Sequence, residues 1–168
     1  AYQTGYIKAN YPIEYMVALM NTYAGNTDKI RSAIAECRRI NIPVLPPDIN
    51  RSIGEFTIEN LNGRMSIRFG LTSIKNVGNS AIDSIVSARK EGDFKSIEDF
   101  CRRADLHNVN KKVLESLIKT GAFDCLASRG ALLQVINQLV SLSQREQQLK
   151  ESGQSSMFDL WGSTTTTP

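Results

Sequence analysis

Residues that could do chemistry cluster in three short stretches. The first is Ile74-Lys75-Asn76-Val77-Gly78-Asn79-Ser80-Ala81. Gly78, and Asn76 less easily, can adopt positive φ, and an apolar residue stands between them. Such a stretch turns sharply, lets Val77 plug the turn into its own core, and begins a helix whose first backbone N–H groups lack partners. A helix N-terminus attracts anions through its free donors and its dipole together. A phosphate therefore fits there, with Lys75 and Ser80 beside it. No base edge is read by such a site, so its binding ignores sequence. The same residues also suit an ordinary turn between two helices.

The second stretch is Asp105-Leu106-His107-Asn108-Val109-Asn110-Lys111-Lys112. It too links two short helices and leads into one that Asn110 can cap. Lys111 and Lys112 fall in the first turn, where cations oppose the dipole. A bound phosphate accounts for them, and so does simple solvation. Two such hairpins in tandem can grip successive phosphates along one groove. His107 is the only histidine and reads as a surface loop residue. The third stretch, Gln154-Ser155-Ser156-Met157-Phe158, has the form of a linear motif in a flexible tail. Gln154 would hydrogen-bond at a pocket rim while Met157 and Phe158 fill an apolar pocket. Large apolar residues in a tail, here joined by Leu160 and Trp161, call for a partner.

The bulk composition permits this chemistry and excludes others. The chain has 168 residues, 41% hydrophobic and 22% charged, which suits one domain with or without a flexible end. A net charge of +3 allows nucleic acid without requiring it. Cys37, Cys101 and Cys125 lie far apart, with no metal-ligand spacing and an odd count that argues against a disulfide framework. A reduced, cytoplasmic setting fits. No apolar run approaches the roughly 18 residues of a membrane span, and no signal peptide is evident. No strand carries the paired aspartates that would hold two metal ions. No catalytic residue, metal ligand or cofactor site is therefore assigned. The start at Ala1, running straight into Tyr2-Gln3-Thr4, reads as a cut inside a larger protein.

These stretches must be positioned by a mainly α fold. Pro12 suits a first helical position, followed by an Ile13, Met16, Val17, Met20 stripe. Thr27 can cap a second helix, with Ile30, Ala33, Ile34 and Cys37 on one face. Val44-Leu45 must be extended because proline follows. Asn62-Gly63 predicts a two-residue hairpin turn within a ribbon at about 54–69. Folding about that turn pairs Ile58 with Ile67, Phe56 with Phe69 and Asn60 with Met65 on one face. Thr57, Glu59, Ser66 and Arg68 take the other. Beyond it come short helices: one marked by Ile82, Ile85 and Val86, and one opened by a Ser96–Asp99 capping pair. A third carries Val113, Leu114, Leu117 and Ile118 and stops at Gly121. A long helix from Ser128 to about Lys150 points Leu132, Val135, Ile136 and Leu139 inward.

The two turn stretches resemble tandem helix-hairpin-helix motifs, with Asn76 where the usual first glycine stands. The tail resembles the bacterial sliding-clamp-binding peptide. Longer runs are similar to the fingers region of the catalytic alpha subunit of bacterial DNA polymerase III, the C-family replicative polymerases. They are Tyr6 to Met16, Asn26 to Lys29, Glu36 to Arg39, Val44 to Asn50, Arg68 to Leu71, Phe94 to Cys101 and Val113 to Asp124, and the likeness covers about residues 1–160. It implies a helical fingers segment with a short antiparallel β-ribbon (1–70), a tandem hairpin module (71–127), a long helix (128–152) and a tail with the clamp peptide (153–168). It also implies partners: the DNA backbone, the sliding clamp and the rest of the polymerase and replisome. The DNA contacts would be Lys75, Asn76, Val77, Gly78, Asn79, Ser80, Asn108, Val109, Asn110, Lys111 and Lys112, and the clamp contacts Gln154 to Phe158. Catalysis, with Mg2+ held by palm aspartates, would belong to the parent enzyme upstream of this segment. Lys8 and the Arg38–Arg39 pair would either face DNA there or lie on a solvated helix face. Two other readings remain open at this point: the related error-prone polymerase subunit, and a free-standing hairpin-containing repair accessory.

Overall fold

A computed structural model describes residues 2–152. The described residues are mainly α, with seven α-helices and one three-stranded sheet. Helix α1 (Tyr2–Asn10) gives way to α2 (Pro12–Thr22) at Tyr11, and Pro12 takes the first helical position, where its missing N–H is harmless. Helix α3 (Thr27–Arg39) begins one residue earlier than the sequence suggests. Asn26, not Thr27, is its cap and accepts the Lys29 N–H at 3.1 Å, since Asn outranks Thr in this role.

Helices α2 and α3 cover a sheet of β1 (Val44–Leu45), β2 (Thr57–Leu61) and β3 (Arg64–Arg68), in the order β1-β3-β2. The β2–β3 register pairs Ile58 with Ile67 and Asn60 with Met65, as expected from the turn. Asn62 and Gly63 both take positive φ, 53° and 82°, as a type I′ turn requires. Phe56 meets Phe69 edge-on at 4.8 Å. Val44–Leu45 is more than extended chain: it joins β3 as a parallel strand, too short for any periodicity to reveal.

The two faces are less distinct than alternation predicts. Ile67 and Phe56 are buried with Met16, Met20, Ile30, Ala33 and Cys37, but Ile58 is 37% exposed and Met65 46%. On the opposite face Arg68 is buried, its Nε donating to Glu59 Oε2 at 2.6 Å and its Nη1 to the Pro46 carbonyl at 2.9 Å.

The second core lies among α4 (Asn79–Arg89), α5 (Ile97–Arg103), α6 (Lys111–Thr120) and α7 (Arg129–Glu151). Ser96 caps α5 by accepting the Asp99 N–H, and Asp99 reaches back to the Lys95 N–H, each at 3.1 Å. Gly121 ends α6 at φ 89°, where an added Cβ would lie 2.5 Å from Arg129. Phe94, Phe100 and Phe123 pack edge-to-face at 4.8 and 4.9 Å. The buried stripe of α7 is Leu132, Ile136 and Val140. Val135, expected inward, is instead 37% exposed, because that i, i+4, i+8 line leaves it at the margin.

Hydrogen bonds tie the segment between β1 and β2 to the second core, and Phe69 joins the two cores. The Ile49 N–H donates to the Ala122 carbonyl at 2.8 Å, and Arg89 Nη1 donates to the carbonyls of Ile49 (3.0 Å) and Ser52 (2.9 Å). Phe69 packs against both clusters. Gly70 follows it so close to the Gly54–Glu55 backbone that a Cβ would sit 2.6 Å away.

Candidate nucleic-acid interface

In the first hairpin the chain turns at Ile74, whose carbonyl accepts the Val77 N–H at 3.2 Å. Val77 is buried in the second core, as a plug should be, while Lys75, Asn76, Gly78, Asn79 and Ser80 stay exposed. The positive φ falls on Asn76, at 70°, and not on Gly78, which caps α4 at φ −90°, ψ 170°. That extended conformation is open to any residue, so the fold does not demand glycine here. A Cβ at Gly78 would meet nothing within 4 Å. No side chain caps α4. Its first helical bond runs from the Ile82 N–H to the Gly78 carbonyl at 3.1 Å, so the N–H groups of Asn79, Ser80 and Ala81 have no partner within the helix.

The second hairpin is organised by Asp105. Its carboxylate accepts the His107 N–H at 3.0 Å and the Asn108 side-chain amide at 2.7 Å. Val109 is fully buried. Asn110 caps α6 by accepting the Val113 N–H at 3.1 Å, so this N-terminus already has a built-in acceptor and α4 does not. Lys111 reaches Glu115 at 3.8 Å, one helical turn on, which gives this lysine a local partner that the sequence reading left out. Lys112 is exposed. His107 is exposed and lies 3.7 Å from Glu151.

The fold brings the two hairpins together. Asn76 Nδ2 donates to Ser116 Oγ at 3.1 Å, and Ser116 Oγ donates to the Lys112 carbonyl at 3.0 Å. The first turn thus lies against α6 one helical turn beyond Lys112. Ser84 Oγ accepts the Asp105 N–H at 2.9 Å and ties the second loop to α4. Between them runs a groove of about 460 Å³ lined by Ser80, Asp83, Ser84, Arg103, Asp105 and Asn108. Its two carboxylates, Asp83 and Asp105, disfavour an anion inside.

Sequence reasoning missed Arg103. Its guanidinium donates to the Ala88 carbonyl (2.7 Å), the Gly92 carbonyl (2.6 Å) and Asp99 (3.1 Å), fixing the end of α4 against α5. No sequence period marks an arginine for such a task. Lys8 and Arg39 both pair with Glu36, at 3.0 and 2.7 Å, and the Arg39 bond, then the Lys8 bond, lowers its pKa to about 2. Gln154, Ser155, Ser156, Met157 and Phe158 lie outside the described residues. Among the described residues no group of three or more His, Cys, Asp or Glu could hold a metal ion, and no helix is long and apolar enough to cross a membrane.

A plugged turn thus opens onto α4, whose start no side chain caps, and a second plugged loop beside it leads into α6, whose start Asn110 caps. The helix-hairpin-helix motif family matches residues 41–132, more than half of the chain, and the chain belongs to it. It is also similar to DNA polymerase III subunit alpha from several bacteria: 40% identical over 158 residues in Campylobacter jejuni, 42% over 160 in Borreliella burgdorferi and 39% over 160 in Vibrio cholerae. These likenesses take in 94% of this chain but only 13–14% of the length of each relative.

Proposed function

We propose that this chain is a segment of a bacterial DNA polymerase III alpha subunit that grips the DNA backbone without sequence preference and tethers the enzyme to its sliding clamp. In this reading residues 1–70 belong to the fingers, 71–127 form the tandem hairpins, 128–152 the long helix and 153–168 the clamp-binding tail. Template-directed DNA synthesis is the work of the parent enzyme. Its Mg2+ would be held by palm aspartates elsewhere in that enzyme. The segment contributes positioning and no catalysis of its own.

The observation that carries the DNA reading is the uncapped start of α4 behind the buried Val77. Three backbone donors without helical partners and the helix dipole face the open space at Gly78, and the exposed Lys75 stands three residues before it. The capped start of α6, with Lys111 and Lys112, adds charge more than free donors. Sequence-independent binding follows, because every element of the site addresses phosphate.

Duplex binding over a salt series tests it. Changing Lys75, Lys111 and Lys112 to Ala should weaken binding about equally on all sequences, and each lost phosphate contact should flatten the log K against log salt slope by about 0.9. Wild-type and triple-variant lines that run together over the series would refute it. The tail is tested separately by titrating a fluorescent sliding clamp. Met157→Ala/Phe158→Ala should nearly abolish binding, since each buried side chain is worth about 1.5–3 kcal/mol. Gln154→Ala should cost about 1 kcal/mol. Equal clamp affinity for the wild type and the double variant would discard the tether.

A further inference from the structure

The turn of the first hairpin and the middle of α6 are joined by a pair of side chains whose types the local backbone does not favour. Asn76 holds a left-handed φ of 70°, which glycine adopts with less strain. Ser116 occupies α6, where alanine is the better helix former. Both positions therefore carry the locally less favourable residue, and the two residues meet. Asn76 Nδ2 donates to Ser116 Oγ at 3.1 Å across 40 residues of chain. The same hydroxyl donates its proton to the Lys112 carbonyl at 3.0 Å. Ser116 Oγ thus acts as donor toward its own helix and acceptor toward the opposite hairpin, and it leaves Asn76 a defined place to bind.

We propose that Asn76 and Ser116 form a latch that sets the spacing between the two phosphate-accepting helix starts, which makes them positioning residues for DNA-backbone binding. This rests on the DNA reading above. Two linked sites act as one only where their geometry allows both to engage at once, and fixing that geometry beforehand avoids an ordering cost on binding. The shared core and the Ser84–Asp105 bond hold the helices themselves. The Asn76–Ser116 bond is the contact made by the exposed turn, and through Lys112 it reaches the first turn of α6. Asn76 is thus engaged with protein, in place of the direct DNA contact expected from its sequence position.

The test is duplex affinity, salt slope and thermal midpoint for the wild-type chain, Asn76→Gly, Ser116→Ala and the double variant. Each single change should weaken binding about three- to tenfold, the worth of one hydrogen bond, and the double should lose no more than either single. The salt slope should stay that of the wild type, because no charged contact is removed. The midpoints should stay near the wild type, because the better local fit of glycine and alanine offsets the lost bond, so weaker binding would come with little loss of stability. Wild-type affinity in Ser116→Ala together with a loss in Asn76→Gly would mean that Asn76 touches DNA itself, and would overturn the latch while leaving the DNA reading intact. Wild-type affinity in both singles, or a fall in midpoint that matches the loss of binding, would overturn it equally. A wild-type chain that binds no duplex at low salt would overturn the DNA reading and the latch with it.

Discussion

Replacing Gly78 with alanine separates what the fold needs from what a ligand needs. The residue sits at φ −90°, ψ 170°, and a Cβ there meets nothing within 4 Å, so no strain or clash opposes the change. Two small terms act on stability. Alanine is the poorer N-cap, at a cost of about 0.5–1 kcal/mol relative to glycine. It also restricts the unfolded chain, a gain of about 0.4–1 kcal/mol where the native backbone is allowed. They nearly cancel, and the variant should match the wild type within about 0.5 kcal/mol in chemical denaturation. Binding has no such compensation. The new methyl enters the open space beside the free N–H groups of Asn79, Ser80 and Ala81, where a phosphate oxygen must come within about 3 Å. Losing one hydrogen bond to a charged group costs about 1.5–3 kcal/mol, so duplex affinity by fluorescence anisotropy should fall roughly 10- to 150-fold. A variant with wild-type affinity would show that no phosphate approaches α4 at this point and would remove the central support of the proposed function.

Two further outcomes concern the body of the protein. Glu59→Ala strands the guanidinium of Arg68, whose side chain is only 8% exposed. The Pro46 carbonyl remains as an acceptor, so the loss should fall at about 2–3 kcal/mol, at or below the low end for a broken buried pair, measured by urea denaturation; an unchanged midpoint would contradict the assignment. Glu36 titrates in the folded chain at about 2 instead of 4.5. A depressed carboxylate stabilises above its unfolded pKa and ceases to do so as pH falls through the folded one. The difference in thermal midpoint between wild type and Glu36→Gln should therefore be full at pH 7 and close between about 4.5 and 2; a gap constant over that window would refute the pairing with Arg39 and Lys8.

Much of this fold was legible from local rules. The Asn62-Gly63 turn dictated the β2–β3 register because side chains alternate with period two. Asn110 and Gly121 bounded α6 through capping chemistry that acts within a few residues. What escaped prediction depended on distant partners. The parallel strand β1 exists only because β3 lies beside it. Arg103 and Arg89 look like surface cations until the carbonyls they bind are in place. In the first hairpin the residue types pointed to the turn, but only the less permissive of the two positions took the positive φ. Asn76 took the left-handed position, with its side chain bonded to Ser116, and Gly78 was left extended.

Phe69 carries a thermodynamic consequence. Its ring borders both cores, and the residue after it has no room for a side chain. Loosening the helices over the sheet and loosening the hairpin module therefore expose the same aromatic surface. The two regions should open as one cooperative unit, with slow amide exchange in β3 and in α6 sharing a single opening free energy. A ligand that tightens the hairpins would then raise protection in the sheet as well, reporting its presence at a distance with no moving part.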